Sequence, residues 1–271
     1  HISTCKSPQQ MFGALAKSYW VEKMGLDPRK VKVVSIMPCT AKKYEAGRPE
    51  MTDAFHFWEK KMKLKKEEVF LDVDYALTTR ELARMFKQAG VDFSNLASEE
   101  FDHPLGKSTG AAVIFGATGG VMEAALRTAY EVVVGKPIPS VDLKMVRGMD
   151  GIKEAEVDLA GTKVRVAVAH TLSNARKLLD QIKEGNSPYH FIEIMTCPGG
   201  CLGGGGQPIP TTWEIRQKRA ESIYKEDINL GIRKSHENPD IQALYKEWLE
   251  KPLGEKSHHL LHTDYTKRGV V

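Results

Sequence analysis

Two cysteines separated by three residues run straight into a glycine tract: Cys197-Pro198-Gly199-Gly200-Cys201-Leu202-Gly203-Gly204-Gly205-Gly206-Gln207-Pro208. Thiolates this close, on a backbone with few Cβ atoms, suit an iron–sulfur cluster. Cluster cysteines need a tight loop that aims amide N–H groups at sulfur. A disulfide between Cys197 and Cys201 would close a very small ring, and structural zinc normally draws on a second cysteine or histidine pair. Zinc or a redox thiol remains open on this stretch alone. The tract lacks the Gly-Lys-Ser/Thr ending of a phosphate-binding loop, which makes nucleotide binding a minor option.

The elements that must position these thiols follow an alternating pattern. Ser7-Pro8 is a cap and first-turn pair, and Met11, Phe12, Leu15, Ala16, Tyr19 and Trp20 recur at helical spacing up to Gly25. Val31 to Met37 reads as a buried strand entering a loop that carries Cys39. Leu71 to Leu77 reads as a second strand, with Thr79 as cap and a helix presenting Leu82, Met85 and Phe86 before Gly90. Strand then helix, twice, predicts parallel α/β layering.

Ala111 to Gly120 imitates a dinucleotide fingerprint, but its glycines are wrongly spaced, so close backbone packing explains them better. Glu154 to Leu159 and Val164 to His170 flank a hairpin signal, followed by a helix at about 172–184 and a strand from His190 to Met195. Both Val34 to Cys39 and Ile192 to Cys197 are apolar strands ending in Met, one spacer, then Cys. Ligands of parallel α/β sheets gather beyond the carboxyl ends of strands, so the two loops are expected to converge on one site.

Composition bounds the function class. With 271 residues, 41% hydrophobic, 27% charged and a net charge of +4, the chain has no basic stripe for nucleic acid. No apolar run is long enough to span a membrane and no leader pattern opens the chain. Four cysteines are too few for a disulfide scaffold and fit a reducing compartment, so a cytoplasmic protein is expected. The chain opens on His1 and enters a helix signal almost at once, which reads as the remainder of a longer protein.

The residues now carry a resemblance. Met37-Pro38-Cys39-Thr40-Ala41-Lys42-Lys43-Tyr44-Glu45 and Met195-Thr196-Cys197-Pro198-Gly199-Gly200-Cys201, with Gly204 to Pro208, resemble the second and third signature motifs of the iron-only ([FeFe]) hydrogenases. Ser7-Pro8-Gln9-Gln10, Phe115 to Ala124 and Ser235-His236-Glu237-Asn238-Pro239 resemble family segments in the same order. The implied fold is that family's large-subunit catalytic domain: parallel sheets with flanking helices in two lobes and the cluster between them. Residues 1–208 would be the truncated large-subunit domain and 209–271 a small-subunit-like helical tail.

The resemblance implies an H-cluster: a 4Fe-4S cubane joined through a thiolate to a two-iron unit carrying CO, cyanide and a bridging dithiolate. It assigns Cys39, Cys197 and Cys201 to the cubane, with Cys201 also bridging, and gives Lys42 a hydrogen bond to cyanide. Met37, Met195 and Phe115 would wall the two-iron unit, Pro8 and Gln9 would line the same pocket, and Gly204, Gly205 and Gln207 would help hold the cofactor. Ser3 matches a proton-relay serine by position. The implied activity is reversible oxidation of dihydrogen to protons and electrons, with ferredoxin, a pyridine nucleotide or accessory iron–sulfur subunits as electron partner. Maturation proteins would install the cofactor. The alternatives are a non-catalytic cluster-assembly factor of the same fold and a hydrogen-sensing homologue.

One departure matters. The family's Thr-Ser-Cys motif, with the fourth cubane ligand, does not occur here, and Cys5 reads as a packing cysteine at a helix entrance. The chain alone is expected to hold no active cluster. His258, His259 and His262 include an i, i+4 pair without the Glu of a zincin motif and read as a tail packing segment. Asn238-Pro239-Asp240 is expected to start a helix that docks Ile241, Leu244, Tyr245, Trp248 and Leu249, and Lys61 to Glu68 reads as a solvated charged face.

Overall fold

A computed structural model describes residues 1–267 and divides the chain into two compact units, one of residues 1–106 with 239 onward and one of 107–238. Residues 209–238 belong to the second unit and the segment from 239 onward to the first.

In the first unit, Ser7 caps α1 (Pro8–Leu15) by accepting the Gln10 amide. The helix continues through a wider π turn at Ala16–Trp20, where the Ser18 hydroxyl donates to the Ala14 carbonyl at 2.5 Å. It closes beyond Val21–Met24 at Gly25, whose φ of 65° is left-handed. Strand β1 (Val34–Met37) precedes α2 (Ala41–Ala46) and α3 (Asp53–Met62). Strand β2 (Tyr75–Thr78) then pairs with β1 in parallel, Val34 opposite Tyr75 and Met37 opposite Thr78. Thr78, rather than Thr79, caps α4 (Thr79–Gln88) in a capping box with Glu81.

The expected buried strand is a correction. Val33 is buried, but Val34 and Ile36 are 50% and 41% exposed, because β1 pairs with one strand only and its outward face is uncovered in this chain. Met85 on α4 is exposed as well.

Two buried lysines hold this unit together. Lys6 pairs with Asp72 at 2.9 Å and Asp53 at 2.6 Å, and Lys17 pairs with Asp74 at 2.6 Å. Asp72 also accepts the Ala54 amide and Asp74 the Val33 amide, both within 2.9 Å, so charge and backbone are satisfied together. Burial holds the Lys17 ammonium below its ordinary value against the pull of Asp74.

The second unit carries α5 (Gly120–Val134), then strands β3 (Ile152–Leu159) and β4 (Thr162–His170) in an antiparallel hairpin. Ala160 and Gly161, both at positive φ, make its two-residue turn. Helix α6 (Leu172–Lys183) leads to β5 (Phe191–Met195), which lies parallel to β4. Helix α7 (Trp213–Asn229) completes the unit.

The chain then returns to the first unit with α8 (Pro239–Leu244), a π turn at Tyr245–Leu249 and α9 (Glu255–Leu261). Leu244, Leu249, Leu260 and Leu261 pack with Ala14 and Leu15, the docking expected of this segment. His258 and His259 are exposed, so the leucines rather than the histidines pack α9. Among the described residues, no helix is long and apolar enough to cross a membrane.

Inside the second unit, Arg127 is wholly buried on α5. Its guanidinium donates to Glu123 at 2.7 Å, to both Asp227 oxygens at 2.8 and 2.9 Å, and to the Val141 and Arg233 carbonyls. Removing one member of such a set strands buried charge. Arg127→Met is expected to lower the unfolding free energy by about 3–5 kcal/mol, read as the shift in a urea unfolding midpoint at unchanged slope.

Candidate functional site

In the first unit the chain leaves the carboxyl end of β1 at Met37, passes Pro38 and Cys39, and enters α2 at Ala41. Cys39 and Met37 are half-buried. Around this turn lies a polar network. Glu45 accepts from Lys42 Nζ at 2.9 and 3.0 Å, from the Ser7 hydroxyl at 2.7 Å and from Gln9 Nε2 at 3.3 Å. Gln9 also donates to the Lys42 carbonyl at 3.2 Å and accepts from the Ser35 hydroxyl at 2.6 Å. Gln9 and Lys42 are therefore brought together, through Glu45 and the Lys42 carbonyl.

Pro8 starts α1 and is exposed. Ser3 is also exposed: its hydroxyl accepts the Cys5 amide at 3.2 Å and its carbonyl accepts the Tyr265 hydroxyl at 2.8 Å. Cys5 is exposed too, its backbone bridging to His262, which corrects the expectation of a packing cysteine.

In the second unit β5 ends at Met195 and the cysteine loop follows. Cys197 and Cys201 are half-buried thiols in no disulfide. The loop is a chain of turns: Gly200 N–H donates to the Cys197 carbonyl, Gly203 to Gly200, Gly204 to Cys201 and Gln207 to Gly204, each at 3.0 Å. Gln207 Nε2 adds a bond to the Cys201 carbonyl at 3.3 Å.

Glycine is required at position 200 for two reasons. Its φ is 89°, and a Cβ there would sit 2.6 Å from Met195 Sδ and 2.7 Å from the Thr118 nitrogen. That contact exists because the segment after Phe115 pairs with the loop, Ala117 bridging Gly200 and Thr118 N–H donating to the Gly199 carbonyl at 3.0 Å. Phe115, Met195, Cys197 and Cys201 thus belong to one locally braced assembly. Gly205 lies in the same loop.

Beneath the pairing segment sit two buried charged side chains, each held by backbone groups. Glu193, on β5, accepts the Gly119 and Met122 amides at 2.7 Å each, fastening the first turn of α5. Lys153, on β3, donates to the Thr118 carbonyl at 3.1 Å and the Gly148 carbonyl at 2.9 Å. Burial pushes the Lys153 ammonium down to about 8 and the Glu193 carboxyl above its ordinary value. Gly119, at φ 93°, gives the backbone turn this clamp needs, and a Cβ there would meet the Val146 carbonyl. Close packing, not nucleotide binding, accounts for these glycines.

A family model described as the iron-only hydrogenase large subunit, C-terminal domain, matches residues 1–205, and one described as the iron hydrogenase small subunit matches residues 213–268. The chain belongs to the iron-only hydrogenase family. It is 51% identical over 98% of its length to the NADP-reducing hydrogenase subunit HndD of Solidesulfovibrio fructosivorans, covering 43% of that protein. It is 34% identical over 98% of its length to cytosolic iron-sulfur assembly component 3 of Rattus norvegicus, covering 54% of it. The chain thus spans about half the length of these curated relatives. Its structure matches the apo [FeFe]-hydrogenase HydA1 from Chlamydomonas reinhardtii at a TM-score of 0.80 and 42% identity, over 99% of this chain and 71% of that one. The fold is that of an [FeFe] hydrogenase, and the family is one of iron–sulfur oxidoreductases.

The donor set and loop shape fit such a cofactor. Within the second unit, two half-buried thiols in one turn-rich loop, and a glycine where a side chain would collide, leave the loop backbone free to wrap an inorganic group.

Glu45, Ser35, Glu193 and Lys153 were not found by sequence reasoning. Glu45 stood in the quoted motif, three residues after Lys42, a spacing at which helical side chains meet. Glu193 offered only a misleading signal. Between Ile192 and Ile194 it reads as the solvent side of a strand, yet it is 6% exposed while Ile194 is 40% exposed.

Two outcomes are expected. Gly200→Ala displaces the loop, so the variant keeps wild-type far-ultraviolet dichroism but takes up less iron on reconstitution, measured by iron analysis. Burial pushes the Lys153 ammonium down to about 8, below the ordinary lysine value of about 10.4, so between the two the unfolded chain binds the extra proton. Wild-type stability is therefore expected to rise from pH 8 to about 10.4 relative to Lys153→Met, measured by urea unfolding across that range.

Proposed function

We propose that this chain is the catalytic-domain portion of an [FeFe] hydrogenase, interconverting dihydrogen with protons and electrons at an H-cluster. Residues 1–208 would form the large-subunit part and 209–271 the small-subunit-like tail. The observation that carries the reading is the braced cysteine loop, with Gly200 packed against Met195 and Thr118, in a chain 51% identical to a hydrogenase subunit. When bound, the H-cluster supplies an open iron site and an adjacent base at which the H–H bond is split.

The chain's own residues do the rest. Cys39, Cys197 and Cys201 would hold the 4Fe-4S part, Cys201 also bridging to the two-iron unit with its CO, cyanide and dithiolate. Gly204, Gly205 and Gln207 keep the Cys201 backbone in its turn, Gln207 by the bond to its carbonyl. Met37, Met195 and Phe115 would exclude water with soft, apolar surface. Lys42 would donate to a cyanide nitrogen, its ammonium held in place by Glu45. Pro8 and Gln9 would line the pocket, Gln9 fixed by Ser35, Glu45 and the Lys42 carbonyl. Ser3, at the surface, would pass protons to solvent. Electrons would leave through a ferredoxin, a pyridine nucleotide system or accessory iron–sulfur domains.

The 34% identity to an iron-sulfur assembly component favours a second reading, a cluster-bearing factor that handles no hydrogen. Met37, Lys42 and Met195 speak for the enzyme, since a cubane alone needs none of them. The test is hydrogen evolution from reduced methyl viologen by the complete, matured protein. Activity is expected, abolished in Cys201→Ser and lowered about 100-fold in kcat in Lys42→Asn, the scale of losing one buried donor. Absence of hydrogen evolution from protein carrying its full iron and sulfide would sink the enzymatic reading.

A further inference from the structure

The histidines of the last helix face a cavity that the hydrogenase reading does not use. His258 and His262 stand one turn apart, their rings nearly parallel at 10° with centroids 4.6 Å apart. They line a cavity of about 280 Å³ within the first unit, together with His56 and His259 and the carboxylates of Asp53 and Asp264. Thr4 Oγ1 bonds His262 Nδ1 at 2.8 Å, leaving Nε2 for another partner. That is how metal-binding imidazoles are oriented from behind.

We propose that His258 and His262, once their stacked rings turn apart, chelate a divalent transition ion of the zinc class in this cavity, with His259, or His56 released from Glu59, as a third ligand. Nitrogen and carboxylate donors without thiolate suit Zn²⁺, and an i, i+4 imidazole pair is a spacing that delivers two nitrogens to one ion. The zincin Glu is absent, so the site binds and braces rather than hydrolyses. An ion there would tie α9 to the Thr4 strand end and, through His56, to α3. Among the described residues, Glu131, His236 and Glu237 already bring three ligand atoms together, but Lys234 neutralises Glu131 at 2.9 Å, which makes that group the poorer candidate.

The cysteine loops can also take zinc, so the test must read individual histidines. Diethyl pyrocarbonate modification of the chain, followed by mass spectrometry with and without added Zn²⁺, does so. The expected result is that Zn²⁺ slows modification of His258 and His262 by at least about tenfold while exposed His103 and His190 react as before. In His262→Ala the protection of His258 disappears, and in Thr4→Val the Zn²⁺ needed for protection rises about tenfold, the scale of losing an outer-sphere bond. Equal modification with and without Zn²⁺ in the unsubstituted chain, or protection of His258 that survives His262→Ala, would overturn the site.

Discussion

The cysteine loop depends on one close approach. Gly200 comes within van der Waals distance of the Thr118 nitrogen and the Met195 sulfur only because it has no Cβ, and a residue at φ 89° tolerates little else. The Ala117 bridge and the Thr118 N–H bond to Gly199 follow from that approach. So does the depth at which Glu193 and Lys153 sit, since both fasten the backbone that Gly200 touches. A loop braced in this way keeps its thiols fixed before any cofactor arrives, which reduces the ordering cost of binding one.

Buried charge is the second constraint, and it works differently in the two units. Lys6, just before the first helix, and Lys17, in its π turn, anchor it to the aspartates on either side of Val73, and Asp74 also accepts the Val33 amide at the entrance to β1. Arg127 in the second unit gathers Glu123, Asp227 and the Arg233 carbonyl, joining α5 to α7. Each set satisfies nearly every donor it contains. Such pairs add little net stability but penalise alternative packings that would leave a charge alone.

Much of this was legible in the sequence, where local rules and tertiary packing agree. The hairpin at Ala160-Gly161, the capped first helix, the helix near 172–184 and the matching strand-to-cysteine loops follow from turn chemistry and periodicity. The parallel pairing of β1 with β2 follows from strand–helix alternation. Burial was less legible. Val34 and Ile36 are apolar yet exposed, and Lys6, Lys17, Arg127 and Glu193 are charged yet buried, because the partners that decide each case lie far along the chain. Hydropathy records what a side chain prefers alone, not which distant group satisfies it. The turn-rich cysteine loop was legible because its residue types and spacing are rare. Glu45 and Ser35, common residues at common spacings, became visible only through their contacts with Gln9 and Lys42.

We propose that these cysteine loops, with Met37, Lys42 and Met195 near them in sequence, serve a hydrogenase centre and not a plain cubane. Infrared spectroscopy of the complete protein after maturation tests it most directly. Sharp bands from iron-bound CO and cyanide are expected, lost in Cys201→Ser and with the cyanide bands shifted in Lys42→Asn. Matured protein that holds a cubane and shows no CO or cyanide bands would contradict it.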